Sequence, residues 1–179
     1  MFIRRQWYAA LPSSQLTTKP VGVVRFGQKL VLFRDAHGAA MCLPDRCRHR
    51  LAQLSRGRVR DGCIECPYHG VRYDGSGRST LVPWTTTPPP PSLALTPLPC
   101  REARGLIWVW NGELDDALPD LPWDDALDAE LNADGRDCAL EAEFDVPFQR
   151  VMENLTDLTH LPFVHRTTMP VGNALRDYA

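Results

Sequence analysis

At 179 residues the chain can bury roughly 68–70% of its unfolded surface, enough for one good domain or a small one plus part of another. A net charge of −2 and a pI near 6.2 leave no electrostatic case for nucleic acid. Six cysteines would suit a disulfide scaffold only in a secreted chain. Met1–Trp7 is followed by no apolar run of signal-peptide length, and no stretch of about 18 apolar residues occurs, so the expectation is a cytoplasmic protein with reduced thiols and no membrane span.

From Val21 to Leu43 short apolar runs alternate with Gly and Asp turns: Val21 to Phe26, a Gly27-Gln28 turn, Leu30 to Phe33, Asp35 to Gly38, then Ala39 to Leu43. This punctuation predicts a small antiparallel β-structure. His37 falls in the second turn, where a polar turn residue is a sufficient account of it.

Next comes Cys47-Arg48-His49, then sixteen residues, then Cys66-Pro67-Tyr68-His69. Each end offers one thiolate and one imidazole. In a Rieske-type [2Fe-2S] centre one iron is held by two Cys and the other by two His, so two loops that each supply one of both produce this alternation. Two ferric ions, two sulfides, two thiolates and two neutral imidazoles sum to zero, which raises the potential above that of four-thiolate clusters. Structural zinc pairs Cys with Cys and His with His at other spacings. A four-sulfur site from Cys42, Cys47, Cys63 and Cys66 has usable spacing but leaves His49 and His69 unexplained.

Cys47-Arg48-His49-Arg50 and Cys66-Pro67-Tyr68-His69-Gly70 resemble the cluster signature of Rieske non-haem iron oxygenases. The resemblance implies a mainly β Rieske domain, a small antiparallel sandwich with a cluster-binding subdomain. It assigns the [2Fe-2S] cluster to Cys47, His49, Cys66 and His69.

The first ligand loop carries Arg46, Arg48, Arg50, Arg56, Arg58 and Arg60. Such a patch would steer an acidic ferredoxin or flavoprotein to the cluster, or it is simply a solvated strand face. Val59, Ile64 and Val71-Arg72-Tyr73 place both loops at hairpin ends. A turn at Asp74-Gly75-Ser76-Gly77 follows, then an extended Pro88–Pro91 run and returning strands at Leu93–Leu98 and Gly105–Trp110. The first domain should span 1–112. Ten carboxylates between Glu113 and Asp137 read as an exposed linker over 113–137, because like charges repel and stay solvated.

Residues 138–179 begin with a strand at Ala139–Phe144, and Pro147 can start a helix carrying Glu153, Asn154, Asp157 and His160. His160 and His165 are about 140° apart on an ideal helix, so they converge only if Pro162 breaks it. Two such imidazoles suit two corners of a 2-His-1-carboxylate site for mononuclear Fe(II). Asn154-x2-Asp157-x2-His160-x4-His165 is similar to the iron-ligand motif of the same oxygenase family. That resemblance implies the first strand and helix of an α+β helix-grip catalytic domain. It also implies an Asp157 that links an iron-bound histidine of its own subunit to a cluster histidine of the neighbouring subunit in a homotrimer.

The family's third ligand lies far downstream, and Asp145, Glu153 and Asp157 do not match it, so this chain alone should be incomplete and inactive. The chain resembles the vanillate demethylase and dicamba monooxygenase group. Its chemistry implies O2-dependent hydroxylation or dealkylation of a small, aromatic substrate, with electrons from an NAD(P)H-dependent reductase, with or without a ferredoxin. The chain has no Gly-x-Gly-x-x-Gly run of its own. The rival is a Rieske-type ferredoxin-like electron-transfer protein without oxygenase activity.

Overall fold

The structure is a computed structural model that describes residues 2–113, 118–121, 145–157 and 159–165. The chain divides into two compact units, Met1–Asp124 and Asp125–Ala179. Among the described residues no helix is long and apolar enough to cross a membrane.

Among its described residues the first unit holds ten strands in three antiparallel sheets. β1 (Gln6–Pro12), β10 (Leu106–Asn111) and β9 (Cys100–Ala103) form one; β2 (Val21–Arg25), β3 (Gln28–Arg34) and β4 (Ala40–Pro44) form the second. The third runs β5 (Arg58–Arg60), β6 (Cys63–Glu65), β7 (Arg72–Tyr73) and β8 (Ser79–Leu81). The strand β3 lies between two cores. Leu30 and Leu32 face one with Leu11, Phe26, Ile107 and Val109, while Val31 and Phe33 face the other with Leu43, Leu54, Ile64 and Tyr73. Burial on both faces explains the unbroken Leu30–Phe33 run, since a half-exposed strand would alternate with polar residues.

Three hairpins close on two residues: Phe26-Gly27, Asp61-Gly62 and Arg104-Gly105, each pair with positive φ at both positions. This geometry matches the twist of the flanking strands and favours Gly in the second place. The first turn therefore sits one residue earlier than the Gly27-Gln28 expected. No strand forms over Leu93–Leu98; a 3-10 turn covers Pro91–Leu93, and a single bridge joins Leu98 to Cys42. Pro97 and Pro99 have no N–H to contribute to a ladder.

Within the acidic stretch, the carbonyl of Pro119 accepts from the Trp7 indole at 2.9 Å and Asp120 pairs with Arg101 at 3.4 Å. These contacts join the described part of the stretch to β1 and β9, with Pro119 and Asp120 themselves exposed. The strand expected at Ala139–Phe144 lies outside the described residues. In the second unit, α1 (Phe148–Thr156) follows Pro147, and α2 is the four-residue Leu161–Val164.

Candidate metal centres

Two loops with one hydrogen-bond scheme carry the first four candidate ligands. In the loop after β4, Cys47 N–H donates to Ala52 O at 2.9 Å and Leu51 N–H donates to Cys47 O at 2.9 Å. In the loop after β6, Cys66 N–H donates to Val71 O at 2.8 Å and Gly70 N–H donates to Cys66 O at 3.0 Å. The fifth residue of each knuckle has positive φ, 60° at Leu51 and 72° at Gly70. Gly adopts that conformation freely, whereas Leu51 holds it at a cost in strain.

Each knuckle turns its cysteine inward. Cys47 and Cys66 are buried in the same core cluster, while His49 is half-buried and His69 exposed. The two imidazole rings lie side by side with centroids 4.8 Å apart. The result is an inner pair of sulfur donors and an outer pair of nitrogen donors. Among the described residues no three His, Cys, Asp or Glu side chains converge as they would on a single ion. A two-iron centre requires only two protein ligands on each iron, so the residues present fit it.

The surroundings act in opposite senses on the sulfur and nitrogen donors, raising the Cys66 thiol and lowering the His49 imidazole. Burial pushes the Cys66 thiol up, but backbone N–H groups of Tyr68 and His69 donate to its sulfur and pull the other way. His49 is held below the ordinary imidazole range by desolvation, with the charges of His69 and Arg50 acting in the same sense, which keeps the ring neutral. Tyr73, fully buried, brings its hydroxyl within 3.3 Å of Cys47 Sγ and accepts the Arg48 N–H at 3.2 Å. Asp45 fixes the base of the first loop by accepting from Ser55 N–H and Ser55 Oγ, both at 2.7 Å.

The four-cysteine alternative is not assembled. Cys42 packs in the other core with Leu30, Leu32 and Ile107, and burial drives its thiol well above the ordinary range. Cys63 instead accepts from Thr80 Oγ1 at 3.7 Å.

Beside Cys66, the buried carboxylate of Glu65 accepts from Arg58 Nε at 2.7 Å and Arg72 Nε at 2.8 Å, tying β5, β6 and β7 together. Of the six arginines singled out in the sequence, Arg58 is therefore structural. Arg46, Arg48, Arg50, Arg56 and Arg60 are exposed, and none has an acid partner among the described residues.

The second group lies in the other unit. The helix α1 ends at Thr156, earlier than the expected break at Pro162, and Asp157 has extended backbone. Asp157 Oδ1 accepts from Thr159 N–H at 2.9 Å and Thr159 Oγ1 at 2.5 Å, and those bonds, then the neighbouring His160, hold its carboxyl below the usual range. The turn brings His160 and His165 to the two ends of α2 with ring centroids 5.4 Å apart. Among the described residues His160 Nδ1 is buried without a hydrogen-bond partner, 3.6 Å from Asp157 Oδ2. A metal ion or a closer Asp157 would satisfy it, and two converging imidazoles fit part of an iron site. Glu153 is engaged by Gln149 and Arg150 of its own helix.

Comparison with known proteins decides the relationship. The model of the Rieske [2Fe-2S] domain matches residues 6–99, more than half of the chain. The chain belongs to the Rieske [2Fe-2S] domain family. A second model, the vanillate O-demethylase oxygenase C-terminal domain, matches residues 144–178. The dicamba O-demethylase oxygenase component of Stenotrophomonas maltophilia is 34% identical over 165 residues, which cover 92% of this chain and 48% of that protein. Among solved structures, NdmA of Pseudomonas putida CBB5 superposes with a TM-score of 0.75 at 28% identity, covering 93% of this chain and 51% of NdmA. Dicamba monooxygenase with non-haem iron and dicamba gives 0.62 at 37% identity, covering 66% of this chain and 38% of its own. The chain thus spans about half the length of the bacterial relatives it matches and 26% to 30% of the chloroplast ones.

Nothing in the sequence singles out Glu65 or Trp84, and Tyr73 stands there only as part of the Val71-Arg72-Tyr73 run. Trp84 stacks 4.7 Å from His49 and 5.8 Å from His69. Only the proximity of Trp84 to a Pro-rich, extended stretch was visible beforehand, and that carries no chemical signal.

Proposed function

We propose that this chain is the electron-receiving part of an oxygenase component that hydroxylates or dealkylates a small aromatic compound with O2. The observation that carries the reading is the pair of matched knuckles, which present two buried sulfurs and two adjacent outward imidazoles. Cys47 and Cys66 would hold one iron, His49 and His69 the other. A [2Fe-2S] cluster in that cradle supplies one-electron storage, and mononuclear iron in the complete protein supplies oxygen activation.

In this reading residues 1–112 are the Rieske domain, 113–137 a linker and 138–179 the opening of the catalytic domain. His160 and His165 are two ligands of the mononuclear iron, and Asp157 orients His160 and reaches a cluster histidine of a neighbouring copy in a homotrimer. Asp157→Asn in the complete protein should leave both metals bound and slow product formation sharply, because an amide accepts on one atom only. The electron donor is an NAD(P)H-dependent reductase in the cytoplasm, directly or through a ferredoxin, and the exposed arginines around the first knuckle, which meet no acid among the described residues, suit an acidic donor. The ferredoxin-like rival has no use for the His160–His165 pair.

The test is assembly of the cluster. The purified chain should contain iron and acid-labile sulfide in equal amounts and show a Rieske-type spectrum when reduced. Cys47→Ser or Cys66→Ser should abolish that spectrum, while Cys42→Ser and Cys63→Ser should leave it unchanged; loss of the cluster in either of the last two would restore the four-cysteine site.

A further inference from the structure

Trp84 is 54% exposed and Tyr68 64% exposed, yet both rings pack on the outer imidazoles. The Trp84 ring lies 4.7 Å from His49, tilted by 37°, and 5.8 Å from His69, nearly edge-on at 76°. Tyr68 approaches His69 at 3.9 Å. The position of Trp84 is built by its own loop. Val82 is anchored in the core that holds Cys47 and Cys66. Thr85 N–H donates to Val82 O at 3.2 Å, and Thr85 Oγ1 accepts from Thr87 N–H at 3.1 Å. Pro83 lies against Gly70, with its Cγ 3.2 Å from the point a Cβ there would occupy. The indole is thereby held over the gap between the two ligand loops.

We infer that Trp84 is a positioning residue for the two imidazoles, fixing their planes and keeping water from the outer side of the cluster. The inference rests on the assignment of His49 and His69 as cluster ligands. With those ligands neutral, the oxidised centre has no net charge, and one electron leaves it with a single negative charge. A low-polarity ring beside the imidazoles disfavours that added charge, as burial disfavours any ion. Trp84 therefore makes reduction harder, and its removal admits water that makes reduction easier.

The experiment is a mediated potentiometric titration of the full chain, with dithionite as the one-electron source, on the unmodified protein, Trp84→Ala and Trp84→Phe. Because Trp84 is largely exposed and outside the core, Trp84→Ala should fold and keep its iron and sulfide. Its reduction equilibrium should become severalfold to tenfold more favourable, tenfold being about 59 mV for one electron. Trp84→Phe should stay nearer the unmodified protein, and pulsed EPR of the reduced state should show altered imidazole nitrogen couplings in Trp84→Ala. An unchanged or lowered potential in Trp84→Ala overturns the inference, as does a Trp84→Phe variant no closer to the unmodified protein. Absence of a Rieske spectrum from the unmodified chain would instead remove the ligand assignment, and this inference with it.

Discussion

Tyr73 shows how a single side chain can bias a centre without being a ligand. Its oxygen accepts the Arg48 N–H at 3.2 Å, which leaves its own proton for Cys47 Sγ at 3.3 Å. Burial first, then the neighbouring sulfur, pushes its pKa up, so it remains a donor throughout the working range. A hydrogen bond to a ligand sulfur eases added negative charge and raises the potential. Tyr73→Phe should keep the cluster and lower the potential by up to roughly 60 mV, a tenfold change for one electron; a titration that finds no change would remove Tyr73 from this role. The four candidate ligands were legible in the sequence because iron restricts both the residue types and their spacing. Tyr73 was not, since a tyrosine on a short strand already has an adequate core explanation. Leu51 was hidden for a related reason: nothing in the chain marks a leucine for the left-handed conformation that matches it to Gly70.

Between elements, Arg34 at the end of β3 gathers separate parts of the first unit. Its guanidinium donates to Leu16 O at 2.8 Å and Gly38 O at 2.8 Å, and it meets both oxygens of Glu102 on β9 at 2.8 and 3.1 Å. Hydrogen bonding from Arg34 holds the Glu102 carboxyl below its ordinary range, against a smaller opposing effect of burial. A carboxylate whose folded pKa is depressed adds stability above the unfolded value, about 4.3 for Glu, and loses it as the pH falls through the folded value. Glu102→Gln should accordingly cost about 1 kcal/mol at pH 7, a modest figure because the pair is partly solvated. That difference should vanish in acid once Glu102 is protonated in both states; urea midpoints that differ equally at both pH values would contradict it. The sequence made β2, β3 and β4 legible through apolar runs cut by Gly and Asp. It concealed β1, whose register with β10 shifts between Ala9 and Leu11 and so breaks the period-two pattern. It also made Leu93–Leu98 look like a strand, because apolar content there hid Pro97, and Pro99 just beyond it, neither of which can donate.

Across the whole molecule, charge is distributed unevenly on a chain whose net value is only −2. From sequence alone the arginines of the first loop could equally be a solvated strand face or a docking patch. Side-chain partners separate these cases: Arg34, Arg58, Arg72, Arg78, Arg101 and Arg150 all meet carboxylates. Arg46, Arg48, Arg50, Arg56 and Arg60 meet none among the described residues, and they lie in the segment that also carries Cys47 and His49. Exposed charges left without internal partners keep their field for an incoming molecule, and such fields raise association rates by about ten- to a thousandfold at low salt. Reduction by an acidic ferredoxin or flavoprotein should therefore slow as ionic strength rises. In stopped-flow experiments, Arg48→Gln combined with Arg56→Gln should lower the second-order rate roughly fivefold at about 10 mM salt, where the Debye length is about 30 Å. The gap should close near 1 M, where that length falls to about 3 Å. Reduction by dithionite serves as the control for an intact cluster. Equal rates for the double variant and the unmodified protein at low salt, with the cluster intact, would return these arginines to the status of an ordinary solvated face.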